Sequence, residues 1–99
     1  MAVKWRQTKY YRIWRVNVIR RDRRCVVCGG IKDRQAHHLE DGSNNPDLRF
    51  VLSNGITLCR GCHTVFHTDY KKSFRYKTTL DDFQNFLRIV EYVKRLSLK

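Results

Sequence analysis

Two Cys-x-x-Cys pairs, Cys25-Val-Val-Cys28 and Cys59-Arg-Gly-Cys62, constrain this chain more than any other feature. At 99 residues it has room for one domain with a small core, and domains of that size commonly need a staple. Every cysteine belongs to one of the two pairs. The chain opens Met1-Ala-Val-Lys4 without the apolar stretch of a secretion signal, so the expected setting is cytoplasmic. In a reducing compartment such pairs hold metal more often than they cross-link. The interval between the pairs, residues 29–58, is longer than a zinc-ribbon loop and accommodates an insertion. A structural Zn2+ on Cys25, Cys28, Cys59 and Cys62 is therefore expected, with a redox pair or disulfides as the alternative. A closed four-thiolate site offers substrate no open position, so no catalysis is assigned to it.

The formal charge of +12 is large and unevenly placed. Lys4, Arg6, Lys9, Arg12, Arg15, Arg20, Arg21, Arg23 and Arg24 face only Asp22 in the first quarter of the sequence, which holds two-thirds of the net charge. Trp5, Tyr10, Tyr11 and Trp14 are interleaved with them. Basic side chains displace counterions from phosphates, which makes nucleic acid the natural partner. The aromatics are expected to face the core rather than bases. No run approaches the length of a membrane-spanning helix.

Local patterning predicts a small α+β domain without linkers or repeats. Residues 8 to 22 read as a helix with Tyr11, Trp14 and Val18 on one stripe and Ile19 beside it. Residues 33 to 39 read as a short strand, and 41 to 47 as a loop. The runs 49–52 and 56–58 are β-prone and flank Asn54-Gly55, a hairpin-turn signal. Residues 60 to 70 read as a helix. In the last helix, Thr79 and Asp82 form a capping-box pattern ahead of an apolar stripe of Leu80, Phe83, Phe86, Leu87, Val90, Val93 and Leu96.

The histidines supply the second chemistry. His63 and His67 stand four apart on the predicted helix and so share a face. Together with His37 they make three ligands and an open side, the arrangement of a catalytic rather than a structural metal. Two alternatives stay open: His63 replaces Cys62 in the knuckle, or both histidines decorate the surface. Neighbouring strand residues point to opposite sides, so His38 is directed away from a metal that His37 binds. An imidazole near neutrality beside a metal suits removal of a proton from water in phosphodiester hydrolysis. The alternative for His38 is an ordinary surface histidine.

The order Cys-x-x-Cys, His-His, Asn, Cys-x-x-Cys-His, x-x-x-His resembles the HNH nuclease family, whose catalytic unit is a ββα-metal motif. The resemblance covers residues 25 to 67, and more loosely Trp14-Arg-Val-Asn-Val-Ile-Arg-Arg-Asp22. It implies that His38 is the general base and that Asn54 braces the loop presenting it. It also implies that His63 is a metal ligand, with His37 and His67 completing the site as in the nuclease colicins. Many members have aspartate where this chain has His37; an all-histidine site is softer and should accept Mn2+, Ni2+ or Zn2+ as well as Mg2+. The family leaves 5′-phosphate and 3′-hydroxyl ends.

These readings combine into a zinc-stapled HNH endonuclease for double-stranded DNA within residues 1–99. Its parts are a basic helical arm (1–24), knuckles and ββα-metal core (25–70) and a C-terminal helix (79–97). Arg12, Arg15 and Arg20 on the first helix, with Arg60, Lys71, Lys72, Arg75 and Lys77 around the metal helix, are candidate phosphate contacts. One active site per monomer predicts nicking with weak sequence preference. The rivals are a non-catalytic zinc-stabilised nucleic-acid-binding module, and a nuclease subunit that works only within a phage packaging assembly, in the bacterial cytoplasm.

Overall fold

Strands β1 (Arg34–His38) and β2 (Gly55–Cys59) pair antiparallel, with Gln35 opposite Leu58, Ala36 opposite Thr57, His37 opposite Ile56 and His38 opposite Gly55. The computed structural model describes residues 4–66 and 79–97, the side chains of 92–97 excepted. Helix α1 (Lys9–Asp22) precedes the sheet, α2 (Arg60–Val65) follows β2 directly, and α3 (Leu80–Ser97) ends the described chain. Short 3-10 turns cover Trp5–Gln7, Pro46–Leu48 and Leu52–Asn54. The result is a small mixed domain: helices around a two-stranded antiparallel sheet, joined by a close four-cysteine cluster.

Strand alternation divides the molecule in two. Gln35, His37, Ile56 and Leu58 turn toward α2 and α3. There Leu58, Phe66, Phe83 and Phe86 form the apolar core with Cys25 and Val27, and Leu39, Ile56, Leu87 and Val90 pack against it. Ala36, His38, Gly55 and Thr57 turn toward α1, which buries Trp14 and Val18 against them. Helix α1 begins on Thr8, whose hydroxyl accepts the Tyr11 N–H. It stops where Arg23 takes φ +65°, a conformation usually left to glycine. Thr79 and Asp82 open α3 with reciprocal hydrogen bonds of 3.1 and 3.2 Å.

Four expectations need correction, the first being that the N-terminal aromatics all face the core: Tyr10 is exposed beside Phe50. Asn54-Gly55 is not a hairpin turn: Asn54 closes a 3-10 turn and Gly55, at φ −126°, already begins β2. Residues 49–52 form no strand, because β2 finds its partner in β1. Leu80 is 40% exposed, since it lies in the first turn of α3 ahead of Phe83. Helix α2 is described only to Val65, and His67, Lys71, Lys72, Arg75 and Lys77 lie outside the described residues, as do the side chains of Val93 and Leu96.

Part of the basic N-terminal charge has internal work. The Arg21 guanidinium donates to the carbonyls of Leu52 (3.0 Å) and Gly55 (2.7 Å) and pairs with Asp22 at 2.8 Å. Asp22 in turn accepts the N–H of fully buried Thr57 at 2.9 Å. Burial opposes ionisation of Asp22, but the bonds from Arg21 and Thr57 prevail and hold its carboxyl below the usual range. The stability contributed by this lowered pKa is complete above the unfolded carboxyl's value of about 3.9 and is lost as pH falls through the folded value. Asp22→Ala strands the Thr57 N–H and is expected to cost about 1.5–3 kcal/mol in urea denaturation at neutral pH. Its difference from wild type should shrink steadily below pH about 4; a difference that stays constant with pH rules out the charged contact.

Candidate metal and catalytic centre

The four cysteines come from two backbone turns brought together by the sheet. Cys25 to Gly30 form a tight knuckle, in which Gly29 N–H donates to the Cys25 carbonyl at 2.8 Å and Gly29 takes φ +75°. Val26 N–H donates to the Thr57 carbonyl at 3.0 Å, which docks the knuckle on β2. Cys59 ends β2 and caps α2: its Sγ accepts the Cys62 N–H at 3.4 Å. Gly30 N–H points at the Cys28 sulfur in the same way, at 3.3 Å. All four sulfurs lie within 4.8 Å of one another, and Cys28 Sγ and Cys59 Sγ are 3.6 Å apart. Sulfurs about 2.3 Å from one tetrahedral ion stand about 3.8 Å apart, so the cluster is sized for a metal such as zinc.

The electrostatics of the cluster agree with that fit. Burial disfavours the Cys25 thiolate, yet backbone N–H groups of Cys28, Cys59 and Val27 outweigh it and bring the pKa to about 7. Burial pushes the Cys62 thiol strongly up, helped by the neighbouring sulfurs of Cys59, Cys25 and Cys28. Four thiols this close cannot all ionise unaided; a divalent cation among them removes the conflict.

The histidines occupy both faces of β1. His37, 4% exposed, lies among Phe66, Phe83 and His63, with its Nδ1 3.3 Å from His63 Nε2. His63 Nδ1 is 2.6 Å from the Gln35 side-chain oxygen. That oxygen only accepts, so Nδ1 carries the proton and Nε2 presents its lone pair to His37. Burial holds the His63 pKa below the usual imidazole value, which keeps that lone pair available. Two ring nitrogens each about 2.0–2.1 Å from one ion stand about 3.3 Å apart at a tetrahedral angle, so this pair fits two ligands of a common metal. Gln35 was missed in the sequence. Its signal was the two-residue step to His37, which places both on one face of β1.

His38 stands on the opposite face inside an aromatic enclosure. Its ring stacks on Trp14 at 4.0 Å between centroids with planes 10° apart, and meets Trp5 edge-on at 5.4 Å. Trp14 is itself pinned, since its indole N–H donates to the Val51 carbonyl at 2.9 Å. His38 Nε2 lies 2.8 Å from the Arg49 carbonyl. A carbonyl only accepts, so Nε2 bears the hydrogen and Nδ1 the lone pair. Burial lowers the His38 pKa, only partly offset by the Arg49 carbonyl, while the nearby Arg6 charge lowers it further.

Asn54, buried at 7% exposure, holds the loop that supplies this carbonyl. Its side-chain oxygen accepts Glu40 N–H at 2.8 Å, and its amide donates to the carbonyls of Glu40 (3.0 Å) and Leu48 (3.1 Å). Leu48 adjoins Arg49, so a single buried amide ties both ends of the 40–48 loop beside His38. The close approach of Trp14 also explains Gly55. A Cβ there would lie 2.5 Å from Val18 Cγ2 and 2.6 Å from Trp14 Cζ2. Gly55→Ala is therefore expected to cost about 1–3 kcal/mol by overpacking. A thermal melt matching wild type would mean that Trp14 moves freely.

Arg12, Arg15, Arg20 and Arg60 are all exposed. Among the described residues no helix is long and apolar enough to cross a membrane. No family model, curated protein or solved structure matches this chain.

Proposed function

We propose that the chain is a divalent-metal-dependent DNA endonuclease of the HNH type, with β1, β2 and α2 as its ββα-metal core and a structural zinc on the four cysteines. The observation that carries this reading is the facing pair His37 Nδ1 and His63 Nε2 at 3.3 Å, oriented by Gln35, on a strand that also bears His38. His37 and His63, with His67, would hold the catalytic ion, which would supply Lewis-acid stabilisation of the charge that develops in phosphodiester hydrolysis.

The remaining chemistry belongs to the protein. His38, neutral because it is partly desolvated, takes a proton from the attacking water on Nδ1 while Nε2–H stays on the Arg49 carbonyl. The Trp14 face and the Arg49 carbonyl keep the ring from turning, so the lone pair keeps one direction. Asn54 keeps that carbonyl in place through the backbone beside it. His38 is the last residue of β1 and follows His37, so a phosphodiester that reaches both would cross the end of that strand. Arg12, Arg15, Arg20 and Arg60 neutralise phosphates on either side and give binding a steep salt dependence. Products are a 5′-phosphate and a 3′-hydroxyl, and a monomer with one such site nicks.

A supercoiled-plasmid assay tests this reading with Mg2+, Mn2+, Ni2+ or Zn2+ added in turn. Metal-dependent conversion to open circle, absent with EDTA and in the His38→Ala protein, is the expected result. Binding without cleavage under every metal would replace it with a non-catalytic zinc-stabilised binding module. Cleavage regained only with packaging proteins present would identify an assembly subunit.

A further inference from the structure

Beside the His38 enclosure, between α1 and the turn after Arg49, lies a cleft that the reading above does not use. It measures about 230 Å³ and is lined by Tyr10, Ile13, Trp14, Asn17, Phe50 and Leu52. Tyr10 is 59%, Ile13 56%, Leu52 43% and Phe50 37% exposed, so contiguous apolar surface meets water on an otherwise basic chain. Exposed apolar patches bounded by polar groups mark interaction sites. Tyr10 and Phe50 lean together at 39° with centroids 6.1 Å apart, rather than stacking and closing over each other.

The rim of the cleft narrows the choice of occupant. Lys9 lies 5.5 Å from the Tyr10 ring centre, while Arg6 and Arg49 sit 4.1 and 4.8 Å from that of Trp5, the neighbour of Phe50. Among the described residues no carboxylate lines the cleft. Exposed aromatic rings beside cationic side chains complement a strand that carries flat rings on a polyanionic backbone. Trp14 contributes to the lining and stacks on His38 with its ring, so the cleft and the proposed active site share that side chain.

We infer that this cleft receives one unstacked nucleobase of the DNA strand whose phosphate lies at His38, so that the protein prefers DNA with an unpaired base to a perfect duplex. The inference rests on the DNA-cleaving reading given above. In an intact duplex the bases are stacked on each other, and exposing one costs unpairing energy; a bulge or single strand has already met that cost. Ring faces accept any base, so the selectivity is for DNA structure rather than sequence. The Asn17 amide offers a donor and an acceptor to a base edge.

The full chain is titrated, with structural zinc bound and no catalytic metal added, against three fluorescent probes: a perfect duplex, the same duplex with a one-nucleotide bulge, and the single strand. The wild type is expected to bind the bulged and single-stranded probes more tightly. A Tyr10→Ala, Phe50→Ala double variant should lose about 5- to 150-fold on those two while keeping its affinity for the perfect duplex. Both side chains are exposed, so the variant should fold; Tyr10→Leu with Phe50→Leu repeats the test with apolar volume kept and the flat faces removed. A fluorescent base analogue at the bulge should be quenched by wild type only. Equal binding of all probes, or a preference that survives in both variants, overturns the inference. Self-association through the cleft, abolished by the double variant in a protein without probe preference, would assign it to a second copy instead. Binding to no DNA at all overturns the DNA reading as well. Selective binding without cleavage overturns the nuclease reading alone and leaves the cleft assignment standing.

Discussion

His38→Ala is expected to slow single-turnover nicking by about 10²–10⁴-fold, the usual contribution of a positioned general base. The side chain is half-buried, and one nitrogen is committed to the Arg49 carbonyl. Only Nδ1 is left to accept a proton, and no other group in the described site duplicates it. DNA affinity should change little, because the proposed phosphate contacts are assigned to exposed arginines on α1 and α2. Alanine also removes the stack on Trp14, and aromatic pairs of this kind contribute about 0.5–1.5 kcal/mol. A modest drop in melting temperature must therefore be separated from the kinetic loss. His38→Gln does so, since it retains polar bulk without an imidazole and should be equally inactive. Nicking within threefold of wild type by either variant would remove His38 from the mechanism.

The largest effect on stability is expected from Cys59→Ala. Cys59 ends β2, caps α2 through the Cys62 N–H and supplies one of the four clustered sulfurs. Structural zinc contributes apparent binding energies of about 10–16 kcal/mol in small domains, whereas a domain's whole stability is only about 5–15 kcal/mol. Losing one thiolate and the cap together should cost on the order of 5 kcal/mol, enough to unfold much of the population at 25 °C. Circular dichroism melts read alongside zinc content check this, and a strong chelator should produce the same loss in the wild type. A variant that melts like wild type, lacks zinc and still fails to nick would transfer the four cysteines from the fold to the chemistry.

These two centres were legible to different degrees. The cysteine cluster could be read from spacing alone, because Cys-x-x-Cys turns impose their own local geometry. The separation of His37 from His38 followed from the two-residue period of a strand. Trp14 and Val18 were expected on the buried stripe of α1, and Phe83 and Phe86 on that of α3. Tyr10 escaped that rule: the aromatics were expected to face the core, yet it stands exposed beside Phe50. Arg21 counted as one more cation of the basic run directed at nucleic acid, whereas the fold commits it to the carbonyls of Leu52 and Gly55.

What the amino-acid order determined by itself was local: where helices start, which residues share a face, which ligands recur at metal-binding intervals. These depend on backbone periods of 3.6 and 2 residues and on caps within one turn. Only the tertiary structure decided that Gly55 begins a strand, that Gln35 orients His63 and that the Arg49 carbonyl grips His38. Each of those depends on a partner brought close by the β1–β2 pairing and by the packing of α1, as with Trp14 and Val18 filling the space beside Gly55. Contacts across the fold are selected by shape and hydrogen-bond satisfaction in the assembled core, and no interval along the chain encodes them singly.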